Sequence, residues 1–289
     1  MGGPKATKVE TTTAFDWTNS ALRVETKWDG KDPPAIWFYG SGSKGLRAAL
    51  NESSKDKYFQ QKFESTLVAT RVPEPKPQRF EIPAGSRLYL RNVKCRSTAL
   101  KPIFNGKDLS DWKEIPGRNS KFTVTKNGEL SIKDGPGDIH TEGQWDNFLL
   151  QLDIKANGKH LNSGVFFRCL SGQFWSGYES QIRNQWKGDD RTKPVDFGTG
   201  GIYGRQPARK VVSSDNEWFT MTVIAHGNHI ATWVNGYQVT DFTDTRPKNE
   251  SARKGTKLDK GPISLQGHDP TTDLSFRNIR IVDLPKKKN

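Results

Sequence analysis

The chain reads as an all-β protein whose main body is a sandwich of two antiparallel sheets. From about residue 121 onward, short stretches of alternating apolar and polar residues are separated by turn residues, the rhythm of antiparallel strands. No long stretch sets apolar residues at helical spacing. Only 33% of the 289 residues are hydrophobic, yet nine Trp and fifteen Phe supply bulky groups from which a sandwich core can be built.

Taken in order, "GLRAALNESSKDKYFQQKF" (45–63) is the one segment with room for a helix. "KFTVTKNGELSIK" is a strand, a turn at Asn127-Gly128 and a strand, because Asn-Gly tolerates the positive φ angles of a tight hairpin. "FLLQLDIKA" and "SGVFFRCL" follow as strands. "WFTMTVIAHGNHIATWVNGYQVTDF" gives three strands joined at Gly227-Asn228 and Asn235-Gly236.

Composition excludes several classes. The mean hydropathy is −0.78, and no apolar run approaches the roughly 20 residues of a membrane-spanning helix. The opening "MGGPKATKVETTTAFDW" carries no signal-peptide core. Cys95 and Cys169 stand far apart and in no metal-ligand spacing, so they read as two buried thiols. The net charge of +13 is spread along the chain. Without a basic groove interleaved with exposed aromatics it predicts a solubilising surface, or attraction to an acidic glycan, rather than a nucleic-acid site.

Two strand-length segments echo each other, "RLYLRNVKC" (87–95) and "DLSFRNIRI" (273–281). Both carry Leu (Leu88, Leu274) and then Arg-Asn (Arg91-Asn92, Arg277-Asn278), and both follow a turn-rich stretch. The expected organisation is a flexible N-terminus (1–14), a β-rich accessory region (15–100), the sandwich (101–284) and a basic tail (285–289), with the boundary near Ala99-Leu100. The echo makes the accessory region a candidate shortened relative of the sandwich's last part.

A family resemblance begins at "FNGKDLSDW" (104–112) and continues through "NSGVFFR" (162–168), "YESQIRN" (178–184), "TGGIYG" (199–204), "WVNG" (233–236) and "GPISLQGHDP…LSFRNIRI" (261–281). Over about residues 101–284 the chain resembles the 3-keto-disaccharide hydrolase family. The resemblance implies a concanavalin A-like jelly roll with its carbohydrate ligand on the concave face. It also implies cleavage of glycosides oxidised to a ketone at sugar carbon 3, and a periplasmic or extracellular setting if the start was trimmed. A ketone at C3 acidifies the hydrogen on C2, so a base, a group that holds the enolate oxygen and an acid for the leaving group suffice.

The candidate residues follow from that chemistry. On strand "YESQIRN", Glu179, Gln181 and Arg183 share one face and Tyr178 and Ile182 the other. Glu179 is the candidate base or metal ligand, Arg168 the candidate holder of the enolate and His268 the candidate acid, base or metal ligand. Gln181, Arg183, Asn184, Tyr203 and Gln266 are candidate substrate contacts, and Trp175 and Trp186 candidate platforms for sugar rings. Where the family commonly has an acidic residue this chain has Asn184, which can bind a hydroxyl or a metal but cannot act as a base. Asp189, Asp190 and Asp196 are candidate ligands for a divalent metal ion, the one cofactor left open. His140 and His160 read as surface residues, and His226 and His229 as flanks of a solvated turn. A retaining glycosidase would need two carboxylates about 5 Å apart, and the strand offers one. A carbohydrate-binding module without catalysis is the alternative.

If residues 87–95 mimic the sandwich's last strand, the accessory region has an apolar face to cover, with Trp28, Trp37, Phe38 and Tyr39 as packing surface. A chain beginning at Lys101 is therefore expected to melt below the full chain in thermal unfolding; equal melting temperatures would refute such packing.

Overall fold

The computed structural model describes residues 7–10, 20–38, 46–50, 57, 59–64, 79–97 and 100–284, and contains no helix among them. The chain divides into two units, Met1–Ala99 and Leu100–Asn289.

Among the described residues the first unit has seven strands: β1 (Thr7–Glu10), β2 (Ser20–Asp29), β3 (Ala35–Phe38), β4 (Leu46–Ala49), β5 (Phe59–Glu64), β6 (Arg79–Ile82) and β7 (Arg87–Ser97). They form two antiparallel sheets, β1-β6-β3-β4 and β5-β2-β7. Val24, Trp28, Ile36, Leu50, Ile82 and Leu88 make a small core. Two sequence expectations are corrected here. The segment with room for a helix instead contains β4 and β5, because Leu46–Ala49 pairs with β3 and Phe59–Glu64 with β2, and ladder bonding overrides local preference. Thr7–Glu10, inside the stretch read as flexible, is a strand paired with β6. Tyr39, the side chains of Trp37, Phe38 and Cys95, and the tail 285–289 lie outside the described residues.

Among the described residues the second unit has fifteen strands. They are β8 (Lys101–Pro102), β9 (Trp112–Glu114), β10 (Lys121–Val124), β11 (Leu130–Lys133), β12 (Gly137–Thr141), β13 (Phe148–Ala156), β14 (Ser163–Phe167) and β15 (Tyr178–Ile182), then β16 (Trp186–Lys187), β17 (Asp190–Pro194), β18 (Phe219–His226), β19 (His229–Val234), β20 (Tyr237–Thr243), β21 (Ser264–Gly267) and β22 (Asp273–Asp283). One sheet runs β10-β11-β22-β13-β18-β19-β20 with β8 on β22; the other runs β15-β14-β21-β12-β9. Inward residues of both sheets, among them Leu150, Leu152, Val223 and Phe276 from the first and Ile139, Val165, Tyr178 and Leu265 from the second, form one core. On β13 burial alternates strictly, as its sequence predicts. Asn235 (φ 51°) and Gly236 (φ 82°) both adopt the left-handed conformation that a two-residue hairpin requires. At Asn127-Gly128 only Gly128 does so, because Thr125 and Glu129 extend that connection to five residues.

The Arg-Asn echo has a structural counterpart. In the pairing of β13 with β22 the register shifts so that Leu152 faces both Asn278 and Ile279. In the pairing of β2 with β7 it shifts so that Val24 faces both Asn92 and Val93. Each is a β-bulge, one extra residue in the longer strand. Asn278 takes a positive φ there (53°). Beside each bulge an arginine reaches an acid of the partner strand, Arg91 to Glu25 at 2.7 Å and Arg277 to Asp153 at 3.6 Å. The repeated letters thus mark one local device used once in each unit.

Arg168, read as the enolate-holding residue, is fully buried just beyond β14. Its Nε donates to the carbonyl of Asp146 (2.7 Å), and its Nη1 to those of Gly227 and Lys257 (both 2.8 Å). It ties three connections together and is not a wall of the cavity described below. Arg168→Leu would strand three carbonyls, each costing about 1–3 kcal/mol when buried without a donor. A loss of at least about 3 kcal/mol is therefore expected, read as a lower urea midpoint with an unchanged slope.

Candidate functional site

The face of the five-stranded sheet turned away from the core carries polar groups on successive strands. On β15, Tyr178, Ser180 and Ile182 point inward, and Ser180 Oγ reaches Met221 Sδ (3.3 Å). The pleat therefore turns Glu179 and Gln181 outward. The register places Gly164 beside Gln181 and Phe166 beside Glu179, then Ser264 beside Phe166, and Asp138 and His140 beside Gln266 and Ser264. Segments between strands cover this face, so Glu179 is only 4% exposed and Gln181 fully buried. A cavity of about 260 Å³ remains between them.

Glu179 and Gln181 form its floor with Gln266, while Phe174, Trp175, Tyr203, Pro136, Asn162 and His268 form the walls. Gly164 is required at this place: a Cβ there would stand 2.7 Å from both Cγ and Oε1 of Glu179. Arg253 Nη2 donates to Glu179 Oε2 at 2.9 Å. Burial pushes the Glu179 carboxyl up to about 7; Arg253 pulls against that, while Asp196 and Asp138 add to it.

Gln181 Nε2 donates to the carbonyl and to Oδ2 of Asp196, both at 2.9 Å, which fixes the amide. Asn162 Nδ2 donates to the same Oδ2 (3.1 Å) and lies 3.3 Å from His268 Nε2. His268 Nδ1 is 2.8 Å from Asp269 Oδ2, so the ring is oriented by a carboxylate on one side and an amide on the other. Trp175, 45% exposed and at φ 53°, is anchored by its backbone N–H, which donates to Asp138 Oδ2 (2.8 Å). Its ring lies 4.0 Å from the Arg253 guanidinium. Burial lifts the Asp138 carboxyl to about 6 and depresses the His140 imidazole to about 4.

The cavity brings together Glu179, Gln181, Trp175, Tyr203, Gln266 and His268. Arg183, Asn184 and Trp186 do not line it, and neither does Arg168. The ladder ends at Ile182, so the alternation on which Arg183 was placed stops one residue too soon. Arg183 instead donates to Gln185 Oε1 (3.0 Å) and to the carbonyl of His160. Asn184 is buried, its Oδ1 accepting the hydroxyls of Thr199 (2.6 Å) and Ser213 (2.5 Å). Trp186 stacks on Arg191 at 4.1 Å in the β16-β17 ribbon. Asp190 in that ribbon bonds Thr192 and Lys193, and of the three loop acids Asp196 is the one bonded to cavity residues. His140, read as a surface residue, is buried on β12 because its strand is covered on both faces. His229 pairs with Asp241 (2.5 Å) beside its turn. Among the described residues no group of three or more His, Cys, Asp or Glu side chains is arranged to hold a metal ion.

Sequence reading missed Arg253, Asp138, Asn162 and Phe174. The alternation Asp138-Ile139-His140 was a usable signal for a half-polar strand. Arg253 lies in a polar loop where nothing in the local pattern distinguishes it.

Residues 99–282 match the model of a family described as the 3-keto-alpha-glucoside-1,2-lyase-like domain. Two crystal structures from Parabacteroides distasonis ATCC 8503, each of a protein provisionally described as a glycosyl hydrolase, resemble this chain. One is 23% identical (TM-score 0.53; 64% of this chain and 94% of that one covered) and shares the fold. The other is 29% identical (TM-score 0.50; 64% and 99%). A looser likeness is to the carbohydrate-binding module CBM66 from Bacillus subtilis, at 16% identity, TM-score 0.44 and 59% and 94% coverage. No curated protein matches the chain. With the family model spanning most of the second unit, this chain belongs to the family of 3-keto-alpha-glucoside-1,2-lyase-like domains, the 3-keto-disaccharide hydrolases.

Proposed function

We propose that the cavity cleaves 3-keto-glycosides by proton abstraction, elimination and hydration. The observation that carries this reading is that, among the described residues, Glu179 is the one acidic residue lining the cavity. Direct hydrolysis of an unoxidised glycoside takes two carboxyl groups across the scissile bond; elimination from a 3-keto sugar takes one base. Glu179 Oε1 removes the proton from C2, and the electrons of that C–H bond move into an enolate whose oxygen is on C3. The enolate collapses to restore the ketone, the C1–C2 double bond forms, and the bond from C1 to the glycosidic oxygen breaks. His268, held by Asp269, returns a proton to the departing oxygen. Water then adds its hydroxyl to C1 as His268 takes back a proton from it and Glu179 returns its proton to C2, giving net hydrolysis. Gln266 and Asn162 offer amides to the sugar oxygens, and Phe174, Trp175 and Tyr203 offer ring faces to its C–H surfaces. No step here is routed through a metal ion.

Burial serves this chemistry, because a base titrating near pH 7 is better matched to an activated C–H than an ordinary carboxylate. The decisive experiment is incubation with 3-keto-trehalose or a related oxidised disaccharide, with and without added divalent metal. Released sugar is expected, and no turnover under any of these conditions would refute the reading. Glycan binding that survives Glu179→Ala in a protein without turnover would mark a binding module instead.

Glu179→Gln should lower kcat/KM by about 10²–10⁴-fold. The base acts as the carboxylate, so activity should fall as pH drops below about 7. Stability should move the other way. The folded value of about 7 lies above the ordinary 4.5, so the contribution of Glu179 to stability is complete below 4.5 and lost as pH rises through 7. Glu179→Gln should accordingly raise the melting temperature more at pH 8 than at pH 5. Gly164→Ala, which crowds Oε1 at 2.7 Å, should reduce kcat at least about tenfold if the base is displaced by even ~1 Å; circular dichroism checks that the fold is retained.

A further inference from the structure

We infer that Arg253 is the positioning residue of this site, holding Oε2 of Glu179 so that Oε1 is presented over Gly164 to the substrate; this rests on the role proposed for Glu179. The two carboxylate oxygens have different surroundings. Oε2 accepts from Arg253 Nη2 at 2.9 Å. Oε1 lies over Gly164, where a Cβ would approach it to 2.7 Å, and takes no hydrogen bond from the described residues. A carboxylate free to rotate would share its proton affinity between both oxygens. One clamped at Oε2 offers a single aimed base.

Arg253 is built to act as a clamp. Its guanidinium lies 4.0 Å from the Trp175 ring, 5.2 Å from Phe166 and 5.9 Å from Tyr203, so aromatic faces restrict it. Its backbone is fixed as well. Arg205 Nη2 donates to the Arg253 carbonyl (2.9 Å), and Arg246 Nη2 donates to the carbonyls of Ala252 (2.8 Å) and Gly255 (2.9 Å) on either side. Arg246 Nη2 is in turn 2.7 Å from Asp244 Oδ2, which also accepts the Tyr178 hydroxyl at 2.7 Å. Tyr178 precedes Glu179 on β15. The loop bearing the cation is thereby tied to the strand bearing the carboxylate. Because Arg253 is not a wall of the cavity, it acts on the substrate through Glu179.

The charged and titratable groups that face Glu179 are Arg253 from this loop, Asp196 from the segment after β17 and Asp138 from β12, with Tyr203 and His268 across the cavity. Arg253 alone among them favours the ionised form by being a fixed cation. Two variants separate its charge from its shape. Arg253→Met keeps a long side chain against Trp175 without charge, and Arg253→Lys keeps the charge without the planar fork. The carboxyl of Glu179 would be titrated by carbon-13 NMR without substrate, its signal assigned by its loss in Glu179→Gln, alongside kcat and KM against pH on the 3-keto-disaccharide. In Arg253→Met the Glu179 titration should rise by about one pH unit or more, a tenfold change in proton affinity. At pH 7 kcat should fall at least about tenfold while KM stays within about threefold. Arg253→Lys should return the titration towards the wild-type value but leave kcat depressed. A titration in Arg253→Met within about 0.3 unit of wild type, where a unit is a tenfold change, would overturn the inference. So would an unchanged kcat in both variants. A wild-type protein that turns over no 3-keto-glycoside would instead remove the catalytic reading of Glu179, and the NMR titration would still decide whether Arg253 governs its charge.

Discussion

A carboxylate withdrawn almost wholly from water near the start of β15 sets the terms for everything around it. Isolating an ionised group from solvent costs several kcal/mol unless partners offset it. Three arrangements make Glu179 tolerable: one guanidinium at hydrogen-bond distance, a glycine on the adjoining strand that leaves space for it, and a cavity that keeps one oxygen accessible. The penalty that remains appears as a carboxyl titrating near neutrality. A group so placed is poorly suited to stabilising a fold and well suited to moving a proton.

The platform for this group comes from the division of labour between the two sheets. The eight-stranded sheet supplies long strands with strictly alternating burial, such as β13 and β18. The five-stranded sheet is made of short strands whose residues are buried on both sides in β12, β14, β15 and β21. One side meets the common core. The other is covered by the connections that carry Trp175, Tyr203 and Arg253, and there the polar groups converge. Polar residues at the margins of the same strands have a different task. Arg168 joins three carbonyls, and Asn184 two hydroxyls. Each lies just past the end of a ladder, where backbone and hydroxyl groups need partners. For Asn184, closeness in sequence to Glu179 therefore did not translate into closeness to the cavity.

The first unit repeats one element of this construction. The bulge at Asn92-Val93 opposite Val24 matches the bulge at Asn278-Ile279 opposite Leu152, and the Glu25-Arg91 pair matches Asp153-Arg277. Side chains at i and i+2 on one face can meet a cross-strand acid only in a defined register. The same letters in the same order thus accompany the same register shift and the same kind of cross-strand ion pair in both units.

What the sequence by itself determined is what depends on neighbours along the chain. Alternation in "FLLQLDIKA" and the Asn-Gly and Gly-Asn turns located β13 and β18 to β20, and alternation in "YESQIRN" turned Glu179 and Gln181 to one face. The Arg-Asn echo carried a bulge for the same reason. What only the tertiary structure decided is which distant side chains complete the site. Arg253 is 74 positions from Glu179 and sits in a segment with no period. Asp138 and Gln266 meet through a ladder pairing, and Asn162 and His268 across the cavity wall. The room for a helix at 45–63 was not used on the same account, since Leu46–Ala49 and Phe59–Glu64 found strand partners elsewhere in the chain. Periodicity reports the face on which a side chain stands; the identity of what stands opposite is set by strand order and by loops crossing the sheet, which no local pattern encodes.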